Sequence, residues 1–461
     1  MRMKHGVFAV ALAASALPAQ SRESRPFGTL REQAERQQSW LEKRLKTILP
    51  GLMRKHGVDM WVIPMREYNE DPTFTSLVSP TTFAARRRTI YVFFDKCAAS
   101  GRTDPGDGTC VERIALGGTS QGGLYQAVRS TTTVTAAVGG RQAELWGDAQ
   151  WQVLKDVIVE RKPKVIGINS SRVFAFADGL SSGEIEGLSL ALGTEWTSRF
   201  RKAEALPVEF IAARLPEEEV FYRRLQGLVW QLIGRMYSTE VIKPGVTKTS
   251  DLVWWWRQQV NDLGLGTWFQ PSVDVQRRGV TAEQLGEDPV IQKGDVLHCD
   301  VGITALRLNT DTQHMAYIPM DGETDAPAGL KLALKNANRF QDILFEETRP
   351  GRTGNEILAA TLAKLKTEGL DGTMYSHPIG MHGHGAGPII GLWDYQEGVP
   401  GRGDAKVIPG MWYSAELQVT TPVPEWNNQP VRVAQEEDFI IDAEGKLRWA
   451  IRRQAAYHLV M

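Results

Sequence analysis

The 461-residue chain has little cysteine, no excess charge of either sign and no long apolar run after its first twenty residues. Three cysteines exclude a disulfide-rich scaffold. With 53 basic and 54 acidic residues the net charge is −1, so no global field draws the chain to nucleic acid or to an anionic membrane. The apolar stretch Gly6–Leu17 is too short to span a bilayer. It follows Arg2 and Lys4 and offers small-residue cleavage options at Ala14–Ala16, near its end, or at the Ala19–Gln20 junction after it, so residues 1–20 are expected to be a signal peptide. The mature protein is then expected to be exported, periplasmic or secreted, and free of the membrane. Low-complexity tracts and short repeats are also lacking, while 42% hydrophobic and 23% charged residues are ordinary for a globular protein.

The length suggests two domains or more. From 28 to 205, helical periodicity alternates with apolar strand candidates at 58–65, 89–95, 111–118 and 164–171, the pattern of an α/β domain. Cys97 and Cys110 bracket a Gly/Pro-rich loop. In an oxidising compartment a disulfide would staple it; otherwise both stand as thiols. Residues 206–216 read as a joining segment. Beyond them lie a long helix over 217–237, a second helix carrying Trp254, Trp255 and Trp256, and, after 290, mostly antiparallel strand candidates. Three successive tryptophans on a helix cannot share one core, which predicts one buried ring and two at an interface.

The chemistry is concentrated after residue 295. Asp300 sits in the apolar strand VLHCDVGI, sharing a face with Val296 and His298 while Leu297, Cys299 and Val301 take the other. An unpaired carboxylate there is costly, so it calls for a cation. Asp311 follows eleven positions later on a returning strand. The segment His377–Pro388 packs three imidazoles, His377, His382 and His384, among Gly and Pro, which excludes a helix. Glu416 lies in WYSAELQV, and Glu436, Glu437 and Asp438 lie in AQEEDFII. Each acid alone reads as a surface charge. Four carboxylates and one imidazole ordered on alternating strands form an oxygen-rich donor set suited to two divalent ions about 3.5–4 Å apart, since one ion would leave the acids poorly neutralised. Without metal, each carboxylate pair at ~4 Å repels by about 4 kcal/mol at an effective dielectric of ~20, so chelation is expected to loosen this domain.

With these residues in view, 215–461 resembles the pita-bread metallohydrolases, a family that includes methionine aminopeptidase, aminopeptidase P, prolidase and creatinase. The α/β segment resembles the N-terminal domain of the proline-directed members. The resemblance implies an α/β N-terminal domain over 28–205 and an α+β pita-bread catalytic domain over 215–461, with the metal site on a curved antiparallel sheet. It implies metal ligation by Asp300, Asp311, His377, Glu416 and Glu436. Asp300 would be bidentate on one ion, Asp311 and Glu436 would bridge, and His377 and Glu416 would complete the second. Glu416 would also move a proton. His384 would face the substrate, because the family places a second His seven positions after the ligand His; this selects His377 over His382. Glu436 is preferred to Glu437 because two polar residues and a hydrophobic strand follow the family's last ligand. The implied activity is a metallopeptidase acting on a small, X-Pro-type peptide, with manganese favoured by the oxygen donors and cobalt, zinc or iron compatible with the imidazole. A homodimer is also implied. Three positions depart from the pattern. No His lies between His56 and His298, where the family has a substrate-binding imidazole; Gly385 stands where an acid is common; and Arg432 lies four residues before Glu436, not two. These departures open two alternatives: hydrolysis of a non-peptide amide, or a binding protein without turnover.

Overall fold

A computed structural model describes residues 25–129 and 149–461. The expected signal peptide, 1–20, lies outside the described residues. Among the described residues, no helix is long and apolar enough to cross a membrane.

The N-terminal half is built on a six-stranded mixed sheet. Its central strand, Met60–Arg66, pairs antiparallel with Arg88–Asp95 and parallel with Ile166–Ile168. Alternation along this strand serves two cores. Trp61, Ile63 and Met65 pack with Leu45, Leu49, Met53 and Phe210, while Met60 and Val62 pack with Leu154, Ile158 and Leu188. Helices therefore cover both faces, which is why the strand is apolar throughout rather than alternating. Cys97 and Cys110 are joined in a disulfide across the loop they bracket.

The segment read as a joining stretch is itself a helix, Ala205–Ala212. Leu206 and Phe210 fill the N-terminal core and Ala212 reaches the C-terminal one, so its apolar residues mark packing between the halves rather than a linker. The next helix, Pro216–Met236, starts with Pro in its first turn and with the Glu218 carboxylate accepting the Leu215 N–H at 2.7 Å. In the helix Thr249–Asp262, Trp256 is buried, Trp255 is partly buried against the same core and Trp254 is exposed.

Among the described residues, the C-terminal half carries a two-stranded hairpin, Thr304–Ala305 with Leu308–Asn309, and three larger sheets, antiparallel except where His458–Leu459 runs parallel to Thr312–Tyr317, framed by helices including Ala328–Glu347 and Gly354–Thr367. One sheet contains Ser272–Gln276, Val296–Val301 and Thr312–Tyr317, with Asp300 opposite both Ser272 and Gln313. The other two are linked by chain segments that leave one sheet and enter the next. Asp371–Met374 gives way to His377–Pro378, Trp412–Ser414 to Leu417–Val423, and Gln429–Gln435 to Asp438–Ile441. His377, Glu416 and Glu436 all fall at these crossings. There the backbone leaves its ladder and a side chain can be aimed inward. A two-residue bridge between Gln313 and Glu436 ties the first sheet to this seam.

Candidate metal centre

The strand alternation expected around Asp300 sets the site's orientation. Leu297, Cys299 and Val301 lie in the core shared with the first two C-terminal helices. His298 and Asp300 face a cavity of about 480 Å³, also lined by Asp274, Gln313, Glu416 and Arg432. The cavity is the space between the sheets, and the crossing segments form its inner end.

All five expected ligands, with His384, meet at that end. Their donor atoms form three overlapping groups, Asp300–Asp311–Glu436, His377–Glu416–Glu436 and Asp311–His377–His384, each within 4.8 Å. Asp311, His377 and Glu436 each belong to two of them, so the groups make one continuous cage. The His377 Nε2 lies 3.2 Å from Glu436, 3.6 Å from Asp311 and 3.8 Å from Glu416. Its Nδ1 donates to the Pro378 carbonyl at 3.1 Å. That bond fixes the tautomer and leaves the Nε2 lone pair directed at the carboxylates.

The electrostatics fit a cation. Asp311, His377 and Glu436 are buried. One oxygen of Asp300 and one of Asp311 are buried with no hydrogen-bond partner. Burial, reinforced by Glu436, pushes the Asp300 carboxyl up to about 7. Burial also raises Glu436 to about 7 and lifts Asp311 and Glu416 well above the carboxylate range. Buried carboxylates whose ionisation is opposed by one another, with oxygens left unpartnered, need positive charge to be stable as anions. The donor chemistry, mostly oxygen with one imidazole, suits hard or borderline divalent ions. A further cluster, Asp95 with Cys97 and Cys110, carries no such site: the sulfurs form the disulfide and Asp95 accepts two N–H groups of a helix start.

His384 is exposed and packs edge-on to the Trp268 and His377 rings, with centroids at 5.1 and 4.8 Å; partial desolvation lowers its pKa. His382 turns away and lies on the Phe176 ring of the N-terminal half at 4.6 Å. Gly385 donates its N–H to the Pro378 carbonyl at 2.6 Å, and a Cβ there would sit 2.6 Å from that same oxygen. An acid therefore has no room at this turn. Where an upstream His was expected, the strand Ser272–Gln276 presents Ser272 and Asp274 to the cavity, and the imidazole facing that wall is His298.

Gln313 escaped the sequence reading. Its amide donates to Glu416 at 3.0 Å and to Glu436 at 2.9 Å. The available signal was its place two residues after Asp311 near the start of a strand, where alternation puts both on one face.

Residues 223–443 match the model of metallopeptidase family M24. No curated protein matches the chain by sequence. In fold, the chain is similar to an X-Pro aminopeptidase from Thermotoga maritima MSB8, with a TM-score of 0.57 at 15% identity over 89% of this chain and 100% of that one. It is also similar to an Xaa-Pro dipeptidase from Bacillus anthracis, with a TM-score of 0.55 at 14% identity over 93% and 100%. The N-terminal domain of FACT complex subunit SPT16 from Cicer arietinum is as similar, with a TM-score of 0.55 at 13% identity over 92% and 99%. The fold is thus shared across unlike proteins, and any reading of activity has to rest on the site.

Proposed function

We propose, from the match of residues 223–443 to the model of metallopeptidase family M24, that this protein is an exported, dinuclear-metal peptidase that cleaves an N-terminal or dipeptide amide bond, with X-Pro peptides as its leading substrate class. The observation that carries the reading is the cage itself, in which buried oxygens of Asp300 and Asp311 have no partner and the donors of His377, Glu416 and Glu436 lie within 4.8 Å of one another. Asp300, Asp311, His377, Glu416 and Glu436 would hold two divalent ions. Manganese is favoured by the four carboxylates.

Two bound ions would supply a hydroxide at neutral pH and an electrophile for the substrate carbonyl. The protein's own part is proton transfer and orientation. Glu416 has its Oε1 held by Gln313, so its Oε2 is the oxygen available to take the nucleophile's proton and deliver it to the leaving nitrogen. His384 would donate an N–H to the oxyanion as it develops. Burial of His377 and Asp311 keeps bulk water from the inner face.

Export is supported by the N-terminal sequence pattern and by the bonded Cys97–Cys110 pair. A homodimer is part of the proposal, motivated by exposed Trp254. A second reading, hydrolysis of a non-peptide amide, is favoured by the absence of an imidazole on Ser272–Gln276 and by Ala434, not arginine, two residues before Glu436. Elemental analysis followed by hydrolysis of X-Pro peptides and small non-peptide amides with Mn, Co or Zn separates them. Two bound ions with X-Pro cleavage are expected. Absence of stoichiometric metal under saturating supply would overturn the centre, and cleavage of non-peptide amides alone would overturn the substrate class.

A further inference from the structure

Outside the five expected ligands, the cavity wall holds an unbroken polar chain. Gln313 donates to Glu416 Oε1 at 3.0 Å and to Glu436 Oε2 at 2.9 Å. Its own Oε1 lies 2.9 Å from His298 Nε2, and His298 Nδ1 lies 3.3 Å from Asp274 Oδ2. Asp274 in turn faces the Arg432 guanidinium at 3.6 Å. Gln313 and His298 are each only 5% exposed.

The polarity of this chain is set from one end. An ionised carboxylate only accepts, so the amide NH₂ must face the two glutamates and the amide oxygen must face His298. His298 then has to donate from Nε2 to the amide oxygen and, because the Asp274 carboxylate also only accepts, from Nδ1 as well. The backbone adds a second hold, because Gln313 and Glu436 exchange both N–H···O bonds at 3.1 Å. The outcome is selective for particular oxygens. Glu416 Oε1 and Glu436 Oε2 are taken by the amide, while Glu416 Oε2 and Glu436 Oε1 are left facing His377 Nε2 at 3.8 and 3.2 Å.

We propose that Gln313 is a positioning residue that fixes the rotamers of Glu416 and Glu436, presenting one oxygen of each to the cage, and that His298, held by Asp274, locks the amide in the orientation this requires. The proposal rests on the metal-centre reading above. It also gives His298 a task other than that of the absent upstream imidazole. Its ring is already engaged at both nitrogens, so it acts through Gln313 and not on the substrate.

The test is Mn²⁺ titration of the metal-stripped full-length protein, followed by steady-state kinetics. Gln313→Met keeps the volume and removes the donors. It is expected to weaken Mn²⁺ binding roughly 10–100-fold, the usual cost of losing a group that orients metal ligands, and to lower kcat with little change in KM. His298→Phe should weaken binding less. The double variant should be no worse than Gln313→Met alone, since His298 works only through the amide. Mn²⁺ affinity within twofold of wild type in Gln313→Met would overturn the clamp, as would a double variant losing the full sum of the single effects. If Gln313→Met fails to fold, His298→Phe decides, and unchanged affinity there overturns the locked amide. Wild-type protein that binds no Mn²⁺ would instead overturn the metal centre on which the clamp rests.

Discussion

Two sets of buried acids lie side by side in this protein, and the donors around them differ. Glu437 and Asp438 follow Glu436 directly and are as deeply buried. Glu437 accepts from His314 at 2.8 Å, Trp230 at 3.2 Å and the Gln454 N–H at 2.9 Å. Asp438 Oδ2 accepts from Tyr222 at 2.6 Å, from Gln226 and from the Asp311 N–H at 3.3 Å. One oxygen each of Asp300 and Asp311 is buried with no donor, and so is Asp438 Oδ1, so Glu437 is the acid whose two oxygens are both supplied with donors. Burial raises the pKa of both sets, so a shifted pKa does not tell a candidate ligand from a structural acid. The identity of the surrounding donors does. Glu437 is enclosed by protein donors and pins the last strands together, whereas the cage has been left short of positive charge.

The largest expected effect lies on the cage side. Glu416→Gln keeps shape and removes the proton acceptor, and should lower kcat by about 10²–10⁴-fold, the usual contribution of a general base, measured by steady-state peptide hydrolysis. Glu437→Gln should leave activity within a few-fold of wild type. If it silenced the enzyme equally, the distinction between the two sets would fail.

Metal removal should expose the difference through pH. The cage acids ionise higher in the folded state than in the unfolded chain, with Asp300 and Glu436 at about 7. Their neutral forms therefore favour folding. In chelated protein that contribution is fully present below the unfolded carboxylate range, near pH 4, and is lost as pH rises through about 7. The melting temperature of chelated protein should fall across this window, by several degrees as ~1 kcal/mol corresponds to about 2–4 °C in a domain of this size. Metal-loaded protein should not show the fall, because bound cations favour the anions. Calorimetry with and without chelator at pH 5 and pH 7.5 checks this, and parallel curves would sink it.

A smaller effect is expected on the structural side. Glu437→Gln should cost about 1–3 kcal/mol by leaving the His314, Trp230 and Gln454 network partly unmatched, with metal content unchanged. The smallest is Tyr222→Phe, which removes one donor to Asp438 and should cost about 0.5–1.5 kcal/mol in denaturant unfolding. Loss of bound metal in either variant would merge the two sets.

The sequence carried much of this because ligand types, order and spacing are local properties. Asp300 stood out as a carboxylate in an apolar strand, and His377 and His384 as imidazoles in a Gly/Pro turn. Gln313 did not stand out, since a neutral amide acquires meaning only from the two carboxylates it reaches, and these are over a hundred residues away in the chain. The helix Ala205–Ala212 was read as a connector because its apolar residues serve two cores at once. The choice among Glu436, Glu437 and Asp438 needed the family pattern, because three consecutive acids differ only in where their side chains end up.

By itself the sequence determined the two-part architecture, through hydrophobic periodicity, and the donor chemistry, through residue type. Only the tertiary structure decided which carboxylate oxygens are partnered and which are left open, how His298 is oriented and that one amide holds two carboxylates of the cage. The reason is that hydrogen-bond satisfaction is a property of atoms brought within about 3 Å of each other, and here the strand crossings at His377, Glu416 and Glu436 bring those atoms together.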